Sequence, residues 1–297
     1  MNLKLFIKNP SRLIASRRLR GVTRFLPDKL FLKCMYKAEF NRRLNLKDPR
    51  GFNEKLQWLK LHDRDPRYIN MVDKYEAKRV VADRIGQEHL IKTLGVWPDF
   101  DSIDFNQLPQ QFVIKCTHDS AGLVICTDKD SFDYAAARNK IRRCLKRNYF
   151  YAGREWPYKK IKPRVIAEAY MEDHVLGELR DYKFFTFNGE PRIMHLVSNR
   201  QNKNQETYGD FYDMDFNHLD LTMGHNNAPT PPQKPGNFER MKVFAGILAQ
   251  GTRHLRVDFY EVDGHLYFGE LTFFQDSGLA DVQPSRWNET LGDWIII

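Results

Sequence analysis

Residues 255–273 constrain the fold of this chain more than any other stretch. They form two apolar, aromatic-rich runs on either side of Asp263-Gly264, a dipeptide that is typical of a tight hairpin turn. The pattern predicts an antiparallel pair of strands. Asp258 and Glu270 lie at similar distances from the turn, so we expect their carboxylates on one face near the strand ends. Two hard oxygen ligands on rigid strands suit Mg²⁺, which leaves its other positions to water and phosphate oxygens.

Arg256 lies two residues before Asp258 and therefore shares its face of the predicted strand. An anion bound to the metal would meet the guanidinium of Arg256. The same two-residue period also fits a hairpin with ordinary exposed charges. The residues alone leave both interpretations open.

The positive charge of the chain is concentrated near its beginning. The formal net charge is +9 over 297 residues, and the first 50 residues hold 14 lysines and arginines against Asp28, Glu39 and Asp48. We expect a basic, mostly helical region over residues 1–70. It could lie on an anionic membrane surface, grip an anionic polymer or be a solvated extension. Nucleic acid is not an expected partner, because no nucleic-acid-binding motif accompanies the charge.

The apolar and cysteine patterns bear on where the protein works. No apolar stretch is long enough to cross a membrane, and the first residues lack the continuous apolar segment of a signal peptide. The four cysteines, at positions 34, 116, 126 and 144, show neither paired metal-ligand spacing nor the density of a secreted framework. We expect a cytoplasmic protein with reduced thiols and no zinc site, which could lie peripherally at the inner face of the membrane.

A loop of small and polar residues follows a predicted strand in the first half of the chain. Strands are predicted over residues 112–116 and 123–127, and residues 117–122 join them. Backbone N–H groups of such a loop can wrap a phosphate, and Lys115 adds a point charge at the strand end. Lys74 stands at the predicted start of a helix, where a cation is unfavourable unless it answers an external anion. A plain hairpin and a solvated lysine remain alternatives.

Charged residues also interrupt apolar strand patterns farther along. Glu168 lies amid apolar neighbours in a predicted strand over residues 164–171. A buried carboxylate needs a partner, and the amino group of an adenine would provide a donor. Asn188-Gly189 predicts another hairpin. Its strands and their ends carry an unusual concentration of charge, at Arg180, Asp181, Lys183 and Arg200.

Several motifs resemble the ATP-grasp enzymes, most closely the TupA-like family of teichuronopeptide biosynthesis. The likeness lies in FNEKLQWLKL, DKYEAK, FVIKCTHDSAG, RDYKFFTFNGEP and VDFYEVDGHLYFGELTF, and it covers about residues 50 to 280. The resemblance implies an α+β, ATP-grasp fold of two α+β subdomains with antiparallel sheets. That domain would occupy residues 71–297, after the basic helical region of residues 1–70.

The resemblance also implies a nucleotide site for ATP. Two lysines would bind the phosphates, with the loop that contains Ser120 and Gly122 closing over them. A carboxylate and nearby backbone would read the adenine, and a second carboxylate would contact the ribose. In that order, the residues are Lys74 and Lys115, then Glu168 with Ala169 and Met171, then Glu178.

For the chemistry, the resemblance implies Mg²⁺ held by Asp258 and Glu270. Many relatives have Glu-x-Asn where this chain has Glu270-Leu271-Thr272, so Thr272 would offer a hydroxyl as the third contact. Arg256 matches the arginine that stabilises the acyl phosphate and the tetrahedral species. Lys183 and Arg200 are the further cations expected in the catalytic site.

The implied activity is an ATP- and Mg²⁺-dependent carboxylate–amine ligase that forms an amide through an acyl phosphate. The family likeness favours an amino acid and a uronic acid or other saccharide as substrates, in cell-surface polysaccharide biosynthesis. Two alternatives stay open. Asp213-Met214-Asp215 is a DxD pattern, by which many glycosyltransferases hold a metal ion and a nucleotide sugar. A membrane-associated binding module without catalytic activity would use the basic region alone.

Overall fold

The computed structural model describes residues 23–200 and 206–297. The first 22 residues of the predicted basic region therefore lie outside the described residues. The α-helices are α1 (Asp28–Phe40), α2 (Phe52–His62), α3 (Arg67–Val72), α4 (Glu76–Ile85), α5 (Tyr134–Leu145), α6 (Phe150–Gly153), α7 (Phe238–Ala249) and α8 (Ser285–Asp293). In the described part of the chain, none of the helices is both long enough and apolar enough to cross a membrane.

The strands form two main antiparallel sheets, which confirms the predicted α+β class. A small sheet has the order β1-β4-β2-β3, and a large sheet has the order β11-β10-β5-β6-β7-β8. A third sheet pairs β12 with β9. The strands are β1 (Thr93–Trp97), β2 (Phe112–Cys116), β3 (Leu123–Cys126), β4 (Val165–Ala169), β5 (Asp181–Phe187), β6 (Glu190–Ser198), β7 (Tyr208–Asp213), β8 (His218–Leu219), β9 (Thr222–Met223), β10 (His254–Val262), β11 (His265–Thr272) and β12 (Val282–Gln283).

The predicted hairpin near the end of the chain is confirmed as β10 and β11. Asp263 and Gly264 have φ angles of 49° and 78°. Positive φ at both turn residues is what a tight hairpin with right-handed strand twist requires, and Asp-Gly tolerates it. The resulting register places Asp258 directly opposite Glu270 on β11 and opposite Lys183 on β5.

One face of the small sheet packs in an apolar cluster with α5, and the other face carries Lys115. Phe112 and Ile114 of β2 pack with Ile141 of α5 in one apolar cluster. Because side chains alternate along a strand, Lys115 points to the opposite face. Leu123 pairs with Lys115 across β2 and β3, so it lies on the same face as the lysine.

The large sheet is covered on both faces. Phe184 contacts Phe238 of α7 on one side, with ring centroids 5.7 Å apart. On the other side, Phe52 of α2 packs on Phe185. Helices α2 and α3 contribute to the same apolar core as this sheet. The domain boundary at residue 70 stays a prediction, and the elements on its two sides share one core.

Candidate active site

Asp258 and Glu270 converge on one face of the hairpin, with a guanidinium between them. Arg256 Nη2 donates to Asp258 Oδ2 and to Glu270 Oε1, each at 2.6 Å. Arg256 Nε donates to Asp258 Oδ1, also at 2.6 Å. The predicted convergence of these three side chains is therefore present in the fold.

The charges around this cluster keep Glu270 ionised. Although burial raises its pKa, the cations of Arg256, Lys74 and Lys183 lower the pKa of Glu270 to about 2. For Asp258, which is 1% exposed, burial outweighs Arg256 and Lys183 and raises the pKa above its ordinary value. Within the described residues, no group of three or more His, Cys, Asp or Glu side chains could hold a metal. A two-carboxylate set fits Mg²⁺, which takes its remaining ligands from water and phosphate.

Thr272 lies beside Asp258 and Glu270, opposite Arg256 in the hairpin register. Its hydroxyl donates to Glu270 Oε1 at 3.3 Å. In this geometry Thr272 orients the carboxylate of Glu270. Its role as a third metal contact stays a prediction.

Two further cations are tied to the same cluster. Lys183 Nζ lies 3.1 Å from Asp258 Oδ2 and 3.5 Å from Asp181 Oδ1. Arg200 Nη1 donates to Asp181 Oδ2 at 2.7 Å. Burial of Asp181 raises its pKa, but the charges of Lys183 and Arg200 leave the pKa below its ordinary value. The structure thus brings Arg256 and Lys183 onto Asp258 directly, and joins Arg200 to them through Asp181.

Glu168 lies on β4 between two ammonium groups. Lys115 Nζ is 2.6 Å from Glu168 Oε2, and Lys78 forms an ion pair with Oε1. Burial raises the pKa of Glu168, and the charges of Lys115 and Lys78 more than offset that effect. The sequence indicated that this carboxylate needs a partner, and the structure supplies two lysines. Contact of Glu168 with an adenine amino group stays a prediction.

Lys78 is the residue of this cluster that the sequence analysis missed. It lies in the first turn of α4, and its Nζ also donates to Ile91 O at 2.6 Å. The signal that could have found it is its four-residue spacing from Lys74, since such positions lie near each other at a helix start. Its partner is about 90 residues away in the sequence, so pattern alone could not connect them.

The predicted phosphate loop is anchored by Lys74. The backbone N–H of Lys74 donates to Thr117 O at 3.0 Å, and its Nζ donates to Asp119 O at 3.1 Å. At the end of the loop, a Cβ on Gly122 would come within 2.5 Å of Cys116 Sγ, so the loop closes tightly onto β2 only with glycine. Ser120 is exposed at the tip. The charge of Lys74 also lowers the pKa of Glu270, so the loop that Lys74 anchors lies within electrostatic range of that carboxylate.

The remaining predicted nucleotide contacts lie at the end of β4 and beyond it. Ala169 is the last residue of β4, and its N–H donates to Lys92 O at 2.9 Å. Met171 follows the strand, two residues after the observed strand end. The carboxylate of Glu178 accepts from Arg180 Nε at 2.6 Å and from Asn199 N at 2.7 Å. Their roles toward adenine and ribose stay predictions.

The DxD pattern begins at the last residue of β7 and continues into the turn that follows. Asp213 Oδ1 accepts from the N–H groups of Asp215 and Asn217 at 2.9 and 2.8 Å, and its Oδ2 accepts from Asn217 Nδ2 at 2.9 Å. These bonds use Asp213 to close the turn. Asp213 is three strands from Arg256 in register, roughly 14 Å at ordinary strand spacing.

Comparison with known proteins decides the family. The model of the TupA-like ATP-grasp family matches residues 54–296. The chain belongs to this family. The match covers both main sheets, the segments that contain Lys74 and Lys115, and the β10–β11 hairpin. The predicted ATP-grasp fold is therefore confirmed.

Solved structures resemble this ATP-grasp protein distantly. D-Alanine–D-alanine ligase from Helicobacter pylori is 16% identical, with a TM-score of 0.47, over 82% of this chain and 69% of that one. The Bacillus anthracis enzyme of the same name is 16% identical, with a TM-score of 0.42, over 68% and 57%. A RimK-domain ATP-grasp protein from Sphaerobacter thermophilus is 11% identical, with a TM-score of 0.43, over 78% and 70%. The search of curated proteins found no match.

Proposed function

We propose that this ATP-grasp protein is an ATP- and Mg²⁺-dependent ligase that joins a carboxylate to an amine through an acyl phosphate. The observation that carries the proposal is a pair of charged clusters, one on the small sheet and one on the large sheet. One cluster is Glu168 with its two lysines, and the other is Arg256 with Asp258 and Glu270. Lys74 connects them, because it binds the loop after β2 and lowers the pKa of Glu270.

The small sheet offers a suitable surface for the nucleotide. Leu123 and Ile125 are 38% and 47% exposed, and they share a face with Lys115. Apolar side chains beside a lysine suit a flat base next to phosphates, since pockets for such ligands combine apolar walls with a few placed charges. Lys115 and Lys74 would hold the phosphate oxygens as point charges. Glu168 would orient Lys115 and accept from the adenine amino group.

The large sheet supplies the groups for phosphoryl transfer. Asp258 and Glu270 would hold Mg²⁺, which when bound neutralises phosphate charge during the transfer. Arg256 and Lys183 would then contact the phosphoryl oxygens and the acyl phosphate, because both cations already lie on the carboxylates where the metal would bind. Placing the acid, the γ-phosphate and the amine in line would account for most of the rate increase.

The substrate class rests on charge and on family likeness. Lys183 and Arg200 flank Asp181 next to the metal-binding pair, and such cations suit an acid substrate with further anionic groups. The TupA-like match supports a role with teichuronopeptide-type or capsular polysaccharide. We propose an amino acid and a uronic acid or other saccharide as the two substrates.

Hydroxylamine trapping tests the reaction type. With ATP, Mg²⁺ and a panel of uronic acids and amino acids, we expect phosphate release only with an accepted acid. Hydroxylamine should convert that acid to its hydroxamate, because it attacks the acyl phosphate in place of the amine. The amide product with an accepted amino acid is detected by mass. Phosphate release without hydroxamate or amide, across acids that stimulate it, would contradict an acyl-phosphate ligase.

We also propose that the protein works in the cytoplasm and touches the inner membrane surface through helix α1. Lys29, Lys33 and Lys37 are exposed on one side of this helix at four-residue spacing, and Phe25 just before it is 75% exposed. Basic side chains each add about 1 kcal/mol near an anionic bilayer. An exposed aromatic ring beside them favours a lipid surface over a soluble polyanion.

Vesicle cosedimentation tests this contact. Binding to vesicles of phosphatidylcholine with phosphatidylglycerol should exceed binding to phosphatidylcholine alone, and should fall with salt. The double variant Lys29→Glu, Lys33→Glu should lower it by about tenfold or more. Lys140→Glu with Arg143→Glu on α5 makes the same change in net charge and should have a smaller effect. Equal losses in both double variants would mean that only net charge matters.

A further inference from the structure

Helix α2 turns polar side chains into the protein at positions where an apolar stripe would be expected. Asn53, Gln57 and Lys60 are 4%, 1% and 1% exposed. Their spacing of four and three residues places them on one side of the helix. The helix begins at Phe52, and the Asn53 amide donates to Ala280 O at 2.8 Å.

All three side chains bind one short segment after β11. Gln57 Nε2 donates to Ser277 O at 3.0 Å and to Gly278 O at 2.8 Å. Lys60 Nζ donates to Ser277 O at 2.7 Å, to Ser277 Oγ at 3.0 Å and to Gln57 Oε1 at 3.1 Å. These three bonds use all three donors of a buried ammonium group.

The segment that they hold has an unusual backbone. Asp276, Ser277 and Gly278 have φ angles of 43°, 58° and 62° in succession. Two of the three are not glycine, so the backbone there is strained. Strained conformations persist only where surrounding contacts determine them, and they concentrate at functional sites. Here the contacts to Ser277 and Gly278 include those from Gln57 and Lys60.

Gln275 connects this strained turn to the candidate active site. Its Oε1 accepts from Arg256 Nη1, and its Nε2 donates to Asp276 Oδ2 at 2.7 Å. The other bonds of the Arg256 guanidinium go to Asp258 and Glu270. Mg²⁺ would compete with Arg256 for those two carboxylates. Gln275 is the neutral partner, so its contact is the one that Arg256 can keep when the metal binds.

We propose that Gln275 and Lys60 are positioning residues that hold Arg256 in its working orientation. Lys60 of α2 fixes the turn at residues 275–278, and Gln275 of that turn would keep its bond to the guanidinium when the metal takes the carboxylates that Arg256 now contacts. Neither residue needs to touch nucleotide or substrate. The inference rests on the proposed function, because it assigns Arg256 to phosphoryl transfer and the carboxylates to Mg²⁺.

Gln275→Met tests this positioning role. Methionine keeps the length of the side chain and removes the oxygen that accepts from Arg256. Mn²⁺ binding in the presence of ADP, followed by electron paramagnetic resonance, should weaken by about tenfold, as expected for a lost hydrogen bond to a charged group. The maximal rate of turnover should fall. The affinity for ADP, titrated separately without metal, should stay unchanged. Lys60→Met should act in the same direction, and Lys55→Met, on the same helix but bonded to Ile295 O, should have no effect.

A double-mutant cycle separates positioning from general structural damage. If Gln275 acts through Arg256, Gln275→Met should have no further effect on Mn²⁺ binding in an Arg256→Ala background. An equal effect of Gln275→Met in the wild-type and Arg256→Ala backgrounds would overturn the positioning role. Unchanged Mn²⁺ binding in Gln275→Met would overturn it as well. A wild-type protein that binds neither ADP nor Mn²⁺ with ADP would instead contradict the proposed function. The two failures are therefore distinguishable.

Discussion

Lys115→Met should reduce ATP and ADP affinity by about a hundredfold or more. The substitution removes a point charge from the predicted phosphate site, and charge-assisted contacts to phosphate are among the strong ones. It also takes away the partner that lies 2.6 Å from the buried Glu168 carboxylate. Glu168 would retain only Lys78 among its two ion-pair partners, and Lys78 would be drawn more firmly onto it. The loss of Lys115 removes a contact to phosphate. The firmer contact with Lys78 occupies the carboxylate that would accept from the adenine amino group.

Isothermal titration with ATP and ADP measures the effect. Lys129→Met is a matched control, because Lys129 follows the same hairpin but donates to Leu108 O, away from the face that carries Lys115. We expect the control to bind ATP as the wild type does, and both variants to keep a folded circular-dichroism spectrum. Undiminished ATP affinity in Lys115→Met would remove this lysine from the nucleotide site.

Glu270→Gln should leave the fold intact and stop turnover, with a loss of about a hundredfold or more. The Glu270 side chain is 41% exposed on β11, and glutamine has nearly the same size, so packing barely changes. The amide has no negative charge to attract Mg²⁺, and hard anionic oxygens are what this ion prefers. Arg256 would also lose one of the two carboxylates that it bridges.

Mg²⁺-dependent phosphate release measures this loss, together with thermal unfolding. The control is Glu261→Gln, which makes the same change in the same hairpin at a carboxylate that accepts from Asn237 N. Glu261→Gln should retain turnover. Full Mg²⁺-dependent turnover in Glu270→Gln would contradict the role of Glu270 as a Mg²⁺ ligand.

Local sequence patterns were sufficient for much of the fold. Asp263-Gly264 and Asn188-Gly189 mark turns because few residues accept positive φ, and both hairpins form where predicted. The register of a hairpin follows from its turn, so the placing of Asp258 opposite Glu270 could be anticipated. Strand ends were less certain, and β4 ends at Ala169, two residues before the predicted end.

Contacts between distant segments could not be predicted in the same way. The sequence showed that Glu168 needs a partner, but the pairing with Lys78 depends on how α4 packs against the small sheet. Gln275 had no pattern that singled it out, because its contact with Arg256 arises from the strained turn that follows β11. The buried polar side of α2 could not be predicted either. A lysine such as Lys60 is expected in solvent, and its burial depends on hydrogen bonds to Ser277, which is far away in the sequence.

Nucleotide selectivity of the wild-type protein tests the central claim most directly. Calorimetric titrations with ATP, ADP and UDP-glucuronic acid, each with and without Mg²⁺, require no knowledge of the acid or amine substrates. The account predicts that ATP and ADP bind, that Mg²⁺ strengthens their binding, and that the UDP-sugar binds far more weakly. Tight binding of the UDP-sugar with no measurable binding of ATP or ADP would contradict an ATP-dependent ligase and favour sugar transfer.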